Sequence, residues 1–166
     1  MNTGQTFLTM GAMVLLSILV MNILRVAGGY EDIYNETRTM VEAIALTSSL
    51  IEEASQAPFD EVSWDSTNLT KIVTDFTLPN NLGPETGESS YALFDDFDDF
   101  HNFIRYDTTQ QSVYRLRCEV CYVGDVNPEV ISASRSYYKR LTITTINQTS
   151  LDSIKLSYVH GYWYFN

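Results

Sequence analysis

No lysine or arginine occurs before Arg25, and positions 1 to 100 hold only 3 of them against 16 Asp and Glu. A secretory signal peptide begins with a basic stretch and ends in a small-residue cleavage site, so the N-terminus does not spell one. The formal net charge of -11 argues against nucleic acid as a partner, because phosphate binding needs clustered cations. Two cysteines cannot build a disulfide framework. There is no G-x-S-x-G turn and no Gly-rich phosphate loop, and neither His101 nor His160 stands in a triad-like context. The chain reads as a non-enzyme; a membrane-anchored enzyme is the least supported of the readings. His160 alternates with Tyr158 and reads as a hydrogen-bonded structural residue.

What is present is apolar and aromatic. Hydrophobic residues make up 45% and aromatic residues 13% of the 166 positions, which argues for a folded body rather than a disordered tail. The acids are concentrated early, since residues 101 to 166 hold 5 acids against 7 Lys and Arg. Such a distribution reads first as a plain solvated acidic face, and it also suits head-to-tail association.

The stretch "GQTFLTMGAMVLLSILV" at 4–20 opens an uncharged run from Phe7 to Leu24, interrupted only by Thr9, Gly11, Ser17 and Asn22. As a helix it spans about 27 Å, close to the roughly 30 Å hydrocarbon layer of a bilayer. It is read as membrane-spanning. Arg25 after the run would place the C-terminal side in the cytoplasm, while Glu31, Asp32 and Glu36 oppose that; charge leaves the orientation open. The next segment, "IYNETRTMVEAIALTSSLIEEASQA", keeps Ile33, Met40 or Val41, Ile44, Ser48, Ile51 and Ala54 or Ser55 at helical spacing, with Glu42, Glu52 and Glu53 on the other side. Pro58 should end it. One helix is expected from about Thr6 to Ala57, with Gly28 and Gly29 as its weak joint.

A short leader ending in Gly, an apolar helix and an amphipathic continuation together resemble the type IV pilins and pseudopilins. The resemblance implies cleavage by a prepilin peptidase between Gly4 and Gln5, with retention of the apolar helix. It also implies a subunit held single-pass in the inner membrane and then drawn by assembly machinery into an extracellular or periplasmic filament of like subunits. At the fifth mature position, where the family has a Glu, this chain has Thr9, which offers a hydroxyl and no charge. Thr9, Gly11, Ala12, Ser17 and Asn22 are the expected polymer-packing residues.

Residues 58–90 read as loop with one short helix or strand near Lys71 to Phe76. The last third alternates. "SVYRLRCEVCYV" puts Tyr114, Leu116, Cys118, Val120 and Tyr122 on one face. "SYYKRLTITTI" sets Leu141 and Ile143 opposite Arg140 and Thr142, and "SIKLSYVHGYW" groups Ile154, Leu156 and Tyr158. The expected fold class is α+β: a long N-terminal helix packed on a small antiparallel sheet of three strands joined by short turns, which is also the pilin-like layout. Its divisions are a leader 1–4, a membrane or polymerisation half-helix 5–27, an amphipathic half 28–57 and a globular β-rich head 58–166. "FDDFDDFHNF" ahead of the strands resembles the body of minor pilins of the mannose-sensitive haemagglutinin type.

Asp95, Asp96, Asp98 and Asp99 allow two readings. One is an acidic turn with Phe94, Phe97, Phe100 and Phe103 tucked inward and the acids outside. The other is a calcium or magnesium site, although the EF-hand pattern is absent. No other cofactor is implied. Cys118 and Cys121 have redox or zinc spacing, yet on a strand they face opposite ways, roughly 10 Å apart. Cys118 is expected in the core with Cys121 an incidental thiol, a bulge that joins them being the alternative. Asn35, Asn68 and Asn147 head glycosylation triplets. "YVHGYWYFN" reads either as a last strand packed on the helix or as an exposed adhesive edge. Two functions from different classes remain: a filament subunit, or a minor, tip-located or simply tethered adhesin or binding module.

Overall fold

The computed structural model describes residues 2–64, 72–88 and 90–162. A single helix, α1 (Thr3–Ser55), is followed by four strands: β1 (Ile104–Thr108), β2 (Val113–Tyr122), β3 (Tyr138–Asn147) and β4 (Ser153–Gly161). Short 3₁₀ turns at Glu61–Trp64, Val73–Asp75, Tyr91–Leu93 and Asp98–Phe100 punctuate the long connection between helix and sheet. The chain divides into two compact units, 1–41 and 42–166, and α1 contributes to both.

In the first unit α1 runs through Gly28 and Gly29 without a break, so the expected weak joint is not a break in the helix. It contains a window of mean hydropathy 2.3, none of it buried, and is long and apolar enough to cross a membrane. Phe7, Leu8, Met13, Leu15 and Met21 are among its exposed side chains.

In the second unit the strands form one antiparallel meander in the order β1-β2-β3-β4. Register pairs Leu116 with Thr145, Cys118 with Ile143, and Leu141 with Tyr158. The expected inner faces hold: Tyr114, Leu116, Cys118, Val120 and Tyr122 alternate inward on β2, and Leu141 and Ile143 do so on β3. One strand more than expected is present. β1 escapes a hydrophobic reading because it is a sheet edge whose residues alternate between exposed and half-buried, with none fully buried. Nor is the β2–β3 connection short: it runs from 123 to 137 and is tied back by a Val123–Ile131 bridge and by the Ser132 N–H donating to the Tyr122 carbonyl at 2.8 Å.

The helical stripe that meets the sheet is Ala43, Thr47, Leu50 and Ala54, spaced at four, three and four residues, with Leu46 and Ile51 beside it. Of the expected stripe Ile51 and Ala54 hold, while Met40, Val41, Ile44 and Ser48 are exposed. Small side chains let the helix approach closely, and Thr47 Oγ1 lies 2.6 Å from Thr145 Oγ1 across the interface. Glu52 and Glu53 are exposed as expected, whereas Glu42 is half-buried at the margin of the interface. Glu42 accepts hydrogen bonds from the Thr109 and Tyr114 hydroxyls at 3.0 and 3.2 Å, and Glu53 accepts from Arg105 of β1 at 3.3 Å.

A second apolar cluster, Phe59, Phe76, Tyr122 and Tyr162, closes the end of the sheet. Its rings meet tilted or edge-on, with the Phe59 and Phe76 centroids 5.0 Å apart. The Tyr122 hydroxyl is satisfied by the Thr77 carbonyl at 2.8 Å. Tyr162 thus belongs to a packed cluster, and Trp163 to Asn166 lie outside the described residues.

Candidate functional site

On the surface of α1 the expected packing residues do not form one seam. At about 100° per residue, Gly11 and Asn22 share a side, while Ala12, Thr9 and Ser17 spread over the opposite half. The Thr9 hydroxyl donates to the Thr6 carbonyl at 2.9 Å and the Ser17 hydroxyl to the Met13 carbonyl at 2.8 Å. These donors are therefore satisfied within their own helix, and they supply less desolvation gain on association than a free hydroxyl would. A Cβ built on Gly11 meets nothing within 4 Å. Asn22 borders a shallow apolar concavity with Leu19, Ile23, Val26, Ala27 and Tyr30. Gly4 and Gln5 lie in the first turn of the helix, where the Gln5 N–H donates to the Asn2 carbonyl at 2.8 Å.

The second unit contains a polar centre that strand alternation builds. Lys139 shares the inward face of β3 with Leu141 and Ile143, and it is fully buried. Its ammonium donates to the Phe59 carbonyl at 2.6 Å, to Asp60 Oδ2 at 2.9 Å and to Asp98 Oδ1, which uses all three protons. The Phe59 ring centroid lies 4.5 Å from Nζ and that of Tyr122 5.5 Å, so aromatic faces replace water around the cation. Asp60 Oδ2 also accepts the Thr77 N–H at 3.0 Å. His160, the register partner of Lys139 on β4, is stacked against Phe97 at 4.6 Å and Phe59 at 6.0 Å. Burial and the neighbouring Lys139 charge push its pKa down to about 4, so it is neutral at pH 7.

The acidic segment is largely inside. Phe97 and Phe100 are buried and the Asp98–Phe100 3₁₀ turn forms as expected, but Asp96, Asp98 and Asp99 are buried with them and only Asp95 is exposed. Asp96 Oδ1 accepts the N–H groups of Asp98 and Asp99 at 2.7 and 3.3 Å. Asp99 Oδ2 accepts those of Asp95 and Asp96 at 2.9 and 3.1 Å. These bonds fold the segment on itself, and Lys139 draws Asp98 to a different centre from its neighbours. The four aspartates are consequently not one ligand set.

Asp95 and Asp99 instead meet residues the sequence reading passed over. One carboxylate oxygen each from Glu88, Asp95 and Asp99 lie within 4.8 Å of one another, and the same holds for Glu61, Glu85 and Glu88. The Glu85 N–H donates to Glu88 Oε2 at 2.9 Å. An adjoining cavity of about 230 Å³ is lined by Pro58, Asp60, Glu61, Asp95 and Asp96. Burial pushes Asp96 and Asp99 up to about 7; the charge of Asp98 adds to the Asp96 shift, while backbone hydrogen bonds hold Asp99 back. Glu85 rises to about 8 through burial and its contact with Glu88.

Cys118 is buried, Cys121 is half-buried on the other face of β2, and both are free thiols. Asn147 is no acceptor for a glycan: it is buried, its amide donates to Ser112 Oγ at 3.3 Å, and its Oδ1 accepts the Thr149 and Ser150 N–H groups. Asn35 is exposed on α1, and Asn68 lies outside the described residues. Lys139 was missed although its period-2 spacing with Leu141 and Ile143 was visible. Asp60, Glu61 and Glu88 carried no such signal. No protein-family model, no curated protein and no solved structure matches this chain.

Proposed function

We propose that the chain is a structural subunit of a type IV pilus-like or pseudopilus-like filament, inserted in a membrane through its apolar helix and assembled by packing that helix among copies of itself. The carrying observation is the exposed apolar surface of α1 in the first unit, which water does not tolerate and which lipid or like helices would cover. In lipid, apolar burial gives no net drive to helix association, so close packing must supply it. Positions that permit close approach lie around the helix rather than along one seam, which suits a helix enclosed by several neighbours.

In this reading a prepilin peptidase cuts between Gly4 and Gln5, inner-membrane machinery extracts the subunit, and the head with its four-stranded sheet faces the periplasm or exterior. The role is mechanical and not catalytic. The second reading is a minor or tip subunit, or a single-pass tethered adhesin that does not polymerise. It draws on Thr9, which lacks the charge the family uses at that position.

Mass spectrometry of the native protein, with crosslinking in membranes, tests the reading. A chain starting at Gln5 and ladders of crosslinked multimers through α1 are expected. A chain that keeps residues 1–4 and crosslinks only as a monomer overturns it in favour of the tether.

A further inference from the structure

We propose that the second unit binds a divalent cation of calcium's class at Glu88, Asp95 and Asp99, with Glu61 and Glu85 completing its oxygen shell. Three separate stretches converge there: the 3₁₀ turn at Glu61–Trp64, the loop carrying Glu85 and Glu88, and the segment at 95–99. Acidic clusters are common on protein surfaces, so the argument rests on Asp99. That residue is fully buried, its Oδ2 is held by two backbone N–H groups, and its Oδ1 is buried with no hydrogen-bond partner. A buried carboxylate oxygen without a donor has lost its hydration with nothing in return. One Asp99 oxygen lies within 4.8 Å of an oxygen of Glu88 and of Asp95, and a shared proton or a cation offsets the repulsion of such a group.

No ion pair among the described residues brings Lys or Arg to any of the five carboxylates, and Lys139 is already engaged by Asp60 and Asp98. Oxygens bound at about 2.4 Å on opposite sides of calcium stand about 4.8 Å apart, so oxygens within 4.8 Å of one another can reach one ion. Calcium accepts an irregular shell of six to eight oxygens, whereas magnesium demands a tight octahedron. The adjoining cavity leaves room for coordinating water, and buried Asp96 with its unpartnered Oδ2 lines it. The ligand set differs from the run of four aspartates, and the site does not depend on whether the chain polymerises.

The test is calorimetric titration of calcium chloride into the chelator-stripped full-length protein in detergent micelles. Saturable binding is expected, with Glu88→Gln and Asp95→Asn each losing at least the tenfold that even outer-shell changes cost, about one decade in affinity. Glu129→Gln, an exposed acid outside the cluster, should bind as the parent does. Calcium should also raise the melting temperature beyond sodium chloride of equal ionic strength. Asp95 is exposed, so Asp95→Asn serves if Glu88→Gln fails to fold. Absence of saturable heat, unchanged binding in the folded variants, or an equal rise with sodium chloride overturns the proposal.

Discussion

The Lys139 ammonium and the Asp98 carboxylate form an ion pair with no solvent exposure on either side chain, and Asp60 shares the same cation. Two buried acids on one buried base tie three distant stretches together: the residues after α1, the turn before β1, and the start of β3. Such a centre adds little net stability over an apolar replacement, but removing one partner strands charge.

Lys139→Met is therefore expected to destabilise the second unit by about 3 to 5 kcal/mol, because Asp60 and Asp98 have no other cation paired with them among the described residues. Urea unfolding followed by tyrosine fluorescence measures it. Adding Asp98→Leu to the same chain should recover part of the loss. A single-variant loss under about 1 kcal/mol, the range of exposed pairs, would show that the centre is solvated in solution.

The dependence on pH has two limbs of opposite sign. Asp96 and Asp99 rise to about 7 from 3.8, so between those values the folded chain binds more protons than the unfolded one. Their contribution to stability is present at low pH and disappears as pH rises through 7. His160 falls from 6.5 to about 4, so its contribution is present above 6.5 and is lost as pH falls toward 4. Urea midpoints of the chelated protein should thus fall between pH 6 and pH 8. His160→Phe, which keeps a ring between Phe59 and Phe97, removes the opposing contribution, so stability should fall more steeply from pH 4 to 6.5 and change as in the parent above that. A midpoint rising from pH 6 to 8 contradicts the assignment of the acids.

How much of this was legible follows from the range of each signal. Strand alternation acts over two residues, so the inner faces of β2 and β3 could be read directly from Leu116, Cys118, Val120, Leu141 and Ile143. The helical stripe slipped by about one position because Ile44 beside Ala43 and Ser48 beside Thr47 fit the same period. What decides between them is the close approach of β3, through Thr145, which hydropathy does not encode. The acids at 96–99 look solvated in isolation. Their inward turn depends on Lys139, forty-one positions from Asp98, and on backbone donors supplied by a local turn. The Glu61, Glu85 and Glu88 convergence is likewise tertiary, so no spacing rule could have found it.

The two thiols should differ in reactivity. Burial pushes Cys118 up to about 12 and also raises Cys121, and the two point to opposite faces of β2. Under native conditions iodoacetamide should label half-buried Cys121 first and leave Cys118 untouched until unfolding. Peptide mass spectrometry under non-reducing conditions should find no linkage between them. A Cys118–Cys121 disulfide would mean that β2 is bulged in solution.

On the proposed filament reading, Gly11→Leu separates folding from assembly. A side chain at this position meets only open space in the single chain, and leucine favours helix over glycine by about 0.8 kcal/mol. The variant should accordingly insert in membranes and fold as the parent does, with an unchanged circular dichroism spectrum in detergent. Enclosed among neighbouring helices, the same side chain fills the space that close approach requires. Electron microscopy and shear-fraction blots should find membrane-bound monomer in normal amount and filaments reduced at least tenfold, about 1.4 kcal/mol per subunit contact. Filaments at parental abundance would remove Gly11 from the packing surface. With Thr9 and Ser17 already bonded within their own helix, that would leave Ala12 and Asn22 to carry it.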